Sequence, residues 1–299
     1  MLDVITDPLG YDFMRRALVE VTIVGFLCGL IGCFVVLRGM AFIGDALAHA
    51  VFPGVVVSYL LGRSIVIGAF AVGAATALAV GLLARSRRVS EDTAIGVLFA
   101  AMFASGVVII SRNPGFRRDL ASLLFGNVLG VSWNDVLLTA AAAAVIAVLV
   151  FALLKELLLV AFDPTMARTA GYPVFVLDLL LLLLLAGTIV VSLQTVGNIL
   201  MLALLVTPPA TARLLTDRFQ RMIAFSIATG ILSGVTGLFL SYHADTSAGG
   251  TIVLVATGLF ILAFLFAPTH GMVAASLQRR RGEHHMHHFH GAEETVPPR

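Results

Sequence analysis

The feature that most limits how this chain can fold is a series of long apolar runs separated by shorter polar stretches. They are Ala17–Leu37, Phe42–Leu61, Ser64–Ala84, Thr93–Ser111, Val136–Ala161, Val176–Leu193, Gly197–Leu215, Met222–Tyr242 and Thr251–Ala267. A hydrocarbon layer about 30 Å thick is crossed by about 20 helical residues, and these runs have that length. Inside lipid each backbone polar group must find a partner within the protein, which a helix provides within its own segment. The predicted fold class is therefore all-α, a polytopic transmembrane helix bundle of eight or nine spans. The count turns on Phe42–Leu61, which holds Asp45, His49 and Pro53 and re-enters rather than crosses in the lower count.

Composition supports the same class. Charged residues make up 12% of the chain and hydrophobic residues 59%, and the mean hydropathy is +1.02. A soluble domain needs roughly 25% charged residues to wet its surface; this chain can cover only a surface that faces lipid. A net charge of +2 gives no footprint for nucleic acid. The opening residues MLDVITDPLGYD lack the basic start of a cleavable signal. Cys28 and Cys33, both in one apolar run, are too few for a disulfide framework and read as small packing residues.

Basic residues favour short cytoplasmic loops. With nine spans, Arg85, Arg87 and Arg88, then Arg168, then Arg213, Arg218 and Arg221, then Arg279, Arg280 and Arg281 fall on one side, taken as inside. Arg15, Arg16, Arg117 and Arg118 fall outside, so the rule holds on balance. Residues Asn113–Asn134 read as a loop with a short half-buried helix, with Trp133 at the interface. Residues 1–275 read as one transmembrane domain, and 276–299 as a polar, His-rich, disordered cytoplasmic tail.

Within the spans, Gly25, Gly29 and Gly32, and Gly68 and Gly73, predict close helix packing. Pro208 and Pro209 are expected to break the hydrogen-bond ladder of their helix and make a hinge. Asp163–Pro173 spells a short capped helix: Asp163 as N-cap, Pro164 at the first position, Gly171 as terminator and Pro173 beyond. A capped helix between two spans on the basic side is a candidate docking element or a plain loop helix.

Ionisable groups inside a bilayer call for an explanation. Asp45 and His49, at i and i+4 in RGMAFIGDALAHAVFPG, share one helix face, and Pro53 and Gly54 allow a bend just beyond them. Carboxylate and imidazole suit a divalent ion such as Zn²⁺, Mn²⁺ or Fe²⁺, and a second copy of the chain would double the two ligands. On spacing alone a local Asp–His pair that satisfies two buried groups is the favoured reading over the metal site, and a proton relay is a third. Glu20 and Asp178, near segment ends, are expected to reach the interface by snorkelling, as are Lys155 and Glu156. His243 and Asp245 read as a turn. The tail histidines His284, His285, His287, His288 and His290 form a flexible segment able to bind metal. The sequence has no GxxxxGKS or GxxxxGKT phosphate loop, no nucleophile–base arrangement and no HExxH helix.

The stretches RGMAFIGDALAHAVFPG, ASLLFGNVLGVSW, AFDPTMARTAGYPV, ALLVTPPATARLLT and SYHADTSAGGTIVLVATGLFILAFLFAP, in this order, resemble the permease subunits of bacterial zinc and manganese ABC importers, from about Phe13 to Pro268. The resemblance implies a type II importer architecture in the bacterial inner membrane, with a homodimeric pore around the ion path. It implies two partners, a cytoplasmic ATPase dimer and an extracytoplasmic metal-binding protein, and a subunit that is itself no enzyme. No cofactor would be held permanently; zinc, manganese or ferrous iron would be cargo. The family's metal site falls on Asp45 and His49. Its coupling helix falls on Asp163–Gly171, including Pro164, Ala167, Arg168 and Ala170. No family role transfers to the His-rich tail. The competing expectation is a self-contained secondary transporter for a metal or proton-coupled solute.

Overall fold

A computed structural model describes residues 7–84, 90–112 and 126–267. The tail histidines and the arginines at 85, 87, 88, 117, 118 and 279–281 lie outside these. The described chain is helical throughout: α1 Asp12–Leu37, α2 Ala41–Ala50, α3 Phe52–Leu60, α4 Ile65–Ala84, α5 Glu91–Ser111, α6 Trp133–Ala152, α7 Leu154–Phe162, α8 Pro164–Thr169, α9 Val174–Val196, α10 Asn198–Leu215, α11 Phe219–Ala244 and α12 Ala248–Phe266. A short 3₁₀ turn, Val128–Gly130, precedes α6. Among the described residues nine helical segments are long and apolar enough to cross a membrane, with α2 and α3 forming one of them.

The centre of the bundle is α1, which packs against α6, α9, α10 and α11. Its glycines explain how so many helices reach it. A side chain at Gly25 would press on the backbone of Gly230, and one at Gly29 on that of Ser226 and Ile227. At that crossing the Ser226 hydroxyl donates to Gly29 O at 2.8 Å. Gly68 packs against Gly54 and Ser58 in the same way, joining α4 to α3. The expectation of close packing at these small residues is met. Cys28 and Cys33 are free and buried.

Three expectations change, and the helix with the two prolines gains a neighbour. The fifth span starts at Trp133, earlier than the hydropathy suggests, because Ser132 and Asp135 form a reciprocal capping box that satisfies orphan N–H groups. Its apolar run then divides at Leu153 into α6 and α7. The helix α10 continues through Pro208 and Pro209. Proline removes two N–H donors, facing Leu204 O and Leu205 O, and neighbouring helices can compensate such losses in membranes. Here Gly32 of α1 lies directly against the Leu205 carbonyl and the Pro209 ring. Finally, Glu20 does not snorkel: it has no exposed surface. Asp178 meets Arg38, which donates from Nη2 to its Oδ1, joining the end of α1 to the first turns of α9.

Candidate metal pathway

The two halves α2 and α3 bring the first candidate residues into place. The helix breaks at Val51, with Pro53 in the first turn of α3, where its missing N–H costs nothing. One turn before the break, His49 Nε2 lies 3.4 Å from Asp45 Oδ1. The i, i+4 pair is therefore formed. The imidazole is held on its other side by two rings of α5, both edge-on, with centroids at 5.6 Å for Phe99 and 5.7 Å for Phe103. Phe103 in turn stacks on Phe52.

A third polar side chain, unforeseen from the sequence, completes the cluster. Asn198, the first residue of α10, places Nδ2 3.4 Å from Asp45 Oδ1 and 3.2 Å from His49 Nε2. Its Oδ1 is buried with no hydrogen-bond partner. The signal was available, an amide inside an apolar run, but nothing local linked it to residues in another span. Gly197, with φ +80, makes the turn that sets Asn198 at the head of α10. Gly126 sits against that turn so tightly that a side chain there would strike Val196 and Gly197.

One side of the cluster is open. Asp45 and Asn198 border a groove of about 440 Å³, otherwise lined by apolar residues including Phe42, Ile199, Leu202 and Val253. Phe42 is 86% exposed. Among the described residues no three His, Cys, Asp or Glu side chains converge. One chain thus offers a carboxylate oxygen and an imidazole nitrogen, two ligands suited to a divalent ion and too few to enclose it, with the Asn198 amide N–H group donating toward both.

The predicted short helix is α8, between α7 and α9. Asp163 Oδ1 accepts from Thr165 N at 3.0 Å and from Met166 N at 2.8 Å, capping α8. The helix ends at Gly171, φ +85, with Tyr172 N donating to Ala167 O. Ala167 is buried; Pro164, Arg168 and Ala170 are exposed, beside exposed Phe162 and Met166. The capped helix is formed as expected, and it presents a mixed basic and apolar surface. His243, expected in a turn, is an exposed residue of the last turn of α11, and Asp245 caps that helix in a left-handed conformation.

Comparison with known proteins extends these findings. The sequence profile of the ABC 3 transport family matches residues 10–267. The chain is 44% identical to the manganese transport system membrane protein MntC of Halalkalibacterium halodurans, over 92% of this chain and 94% of that one. It is 42% identical to a probable iron transport system membrane protein of Haemophilus influenzae, over 89% and 98%. Among solved structures it resembles PsaBC from Streptococcus pneumoniae in complex with Fab, with a TM-score of 0.80 and 36% identity over 90% of this chain and 97% of that one.

Proposed function

The chain belongs to the ABC 3 transport family and is a multi-pass permease subunit of a bacterial metal importer; we propose that the ion it carries is manganese(II) or iron(II), passed along Asp45, His49 and Asn198. Membership in an ABC family leaves a self-contained secondary transporter without support. The observation that carries the proposal is the Asp45–His49 pair of α2, met by the Asn198 amide of α10 at the break of a membrane-spanning segment. A carboxylate oxygen suits manganese, an imidazole nitrogen suits iron, and a mixed set without thiolate suits either. Zinc is the competing cargo on the Asp–His pair alone. The names of the manganese and iron relatives favour the first two.

A second copy seated on the open groove would bring a second Asp45–His49–Asn198 set to the first and enclose the ion between them. Phe42, Ile199 and Leu202 would supply the apolar contact. The sequence has no phosphate-binding loop of its own, so ATP would be hydrolysed by a partner subunit docked on α8 through Arg168 and the exposed apolar residues beside it. A partner capturing metal outside the cell would deliver it at the opposite end, where the segment around Gly126 covers the α9–α10 turn. Switching α8 moves the first turns of α9, which the Arg38–Asp178 pair ties to α1 and so to the start of α2. Pro208 and Pro209, with two ladder bonds missing, are where α10 would flex.

The test is elemental uptake in cells lacking this chain and regaining it, offered manganese, iron and zinc together. Restored manganese or iron accumulation is expected. Restoration of zinc alone overturns the cargo.

A further inference from the structure

A second buried polar cluster lies apart from the metal pathway. Glu20, in the membrane-spanning part of α1, has no exposed surface, yet neither of its carboxyl oxygens has a hydrogen-bond partner. The groups that face it come from two other helices: the hydroxyls of Thr139 on α6 and Thr195 on α9, and the carboxylate of Asp135 on α6. Thr139 and Thr195 are themselves buried. Each already gives its hydrogen to a backbone carbonyl, Thr139 to Asp135 O at 3.0 Å and Thr195 to Ser192 O at 3.2 Å. Each hydroxyl is thereby engaged by a carbonyl of its own helix, and neither forms a hydrogen bond to Glu20.

The neighbouring charges do not supply a counter-ion. Asp135 is negative and is engaged by the backbone N–H and hydroxyl of Ser132. Arg16, one turn earlier on α1, has a buried Nε without a partner, and no ion pair joins it to Glu20 among the described residues. An ionised carboxylate here would have neither a counter-ion nor a hydrogen-bond partner, in a medium that does not solvate charge. What the cluster lacks is one donor.

We propose that Glu20 is a proton-binding site: it stands in the bundle as a neutral carboxylic acid whose O–H donates to the hydroxyl oxygen of Thr139 or Thr195. A single proton then supplies the missing donor and ties α1 to α6 or α9. The position matters for transport, because Thr195 lies just before the Gly197 turn that sets Asn198 against Asp45 and His49. Thr195 and Asp135 also line a cavity of about 350 Å³ with Asn127 and Gln194, which brings a polar space up to the cluster. The other ligand an all-oxygen cluster could take is a hard cation such as sodium.

Infrared spectroscopy of the purified permease–ATPase complex separates these. The wild-type complex at neutral pH is expected to show the carbonyl stretch of a protonated carboxylic acid. That band should shift when glutamate is labelled with carbon-13 and disappear in Glu20→Gln, whose amide can donate as the acid does. Thr139→Val with Thr195→Val, which removes both acceptors, should shift the same band and assigns it to Glu20 should Glu20→Gln fail to fold. Absence of a glutamic acid band in the wild-type protein overturns the proposal. So does a band that survives in Glu20→Gln, or one that vanishes when sodium replaces choline in the buffer.

Discussion

The Asn198 amide nitrogen sits 3.2 Å from His49 Nε2 although 149 positions separate the two residues. The contact turns an i, i+4 pair on one helix into a polar cluster shared by two membrane-spanning segments. It also joins the α9–α10 turn to the proposed ion path. Asn198→Ala removes the amide that donates toward Asp45 and His49 and should weaken metal binding by about tenfold, the scale seen when outer-shell partners are lost. Asn198→Asp should keep binding and slow release. Uptake rate and bound metal per complex check both.

Asp45→Ala and His49→Ala should each abolish metal-dependent growth while leaving the protein in the membrane at wild-type abundance. Each removes one of the two side chains proposed as the strong ligands of this pathway. Normal uptake by both variants would remove these residues from the ion path.

The Arg38–Asp178 pair should matter for coupling more than for folding. Arg38→Ala or Asp178→Ala is expected to leave the permease bound to its ATPase while ATP hydrolysis no longer drives uptake. The charge swap Arg38→Asp with Asp178→Arg should restore part of the transport. Comparing ATP hydrolysed with metal taken up reads this directly.

The packing of α1 predicts a contrast among glycines. Gly32→Ala places a methyl group against the Leu205 carbonyl and Pro209, and overpacking of this kind costs about 1–3 kcal/mol. Gly96→Ala and Gly258→Ala meet nothing within 4 Å and should be neutral. Thermal melting of the detergent-solubilised protein should separate the first from the other two.

Loss of the α8 cap should be local. Asp163→Ala leaves the Thr165 and Met166 N–H groups unsatisfied, at about 1 kcal/mol for a typical N-cap. The bundle should persist, and less ATPase should co-purify under mild detergent. Unchanged co-purification would count against α8 as the docking element.

What the sequence determined by itself is whatever depends on neighbours along the chain. Apolar length settled the spans, because a backbone in lipid must satisfy itself within its own helix. Capping chemistry placed α8 from Asp163 to Gly171, and helical spacing put Asp45 beside His49. Gly25, Gly29 and Gly32 announced close packing on α1 without naming α10 or α11 as its neighbours. The tertiary structure alone decided where the other polar residues went. Glu20 and Asp178 looked alike as acids near segment ends, yet one is sealed against Thr139 and Thr195 and the other pairs with Arg38. Asn198 joined Asp45 and His49 from a distant span, and α10 passed through two prolines with Gly32 of α1 packed against the Leu205 carbonyl and the Pro209 ring. A polar group in a membrane takes its meaning from the helix packed against it, and that neighbour is chosen by contacts between segments far apart in the chain.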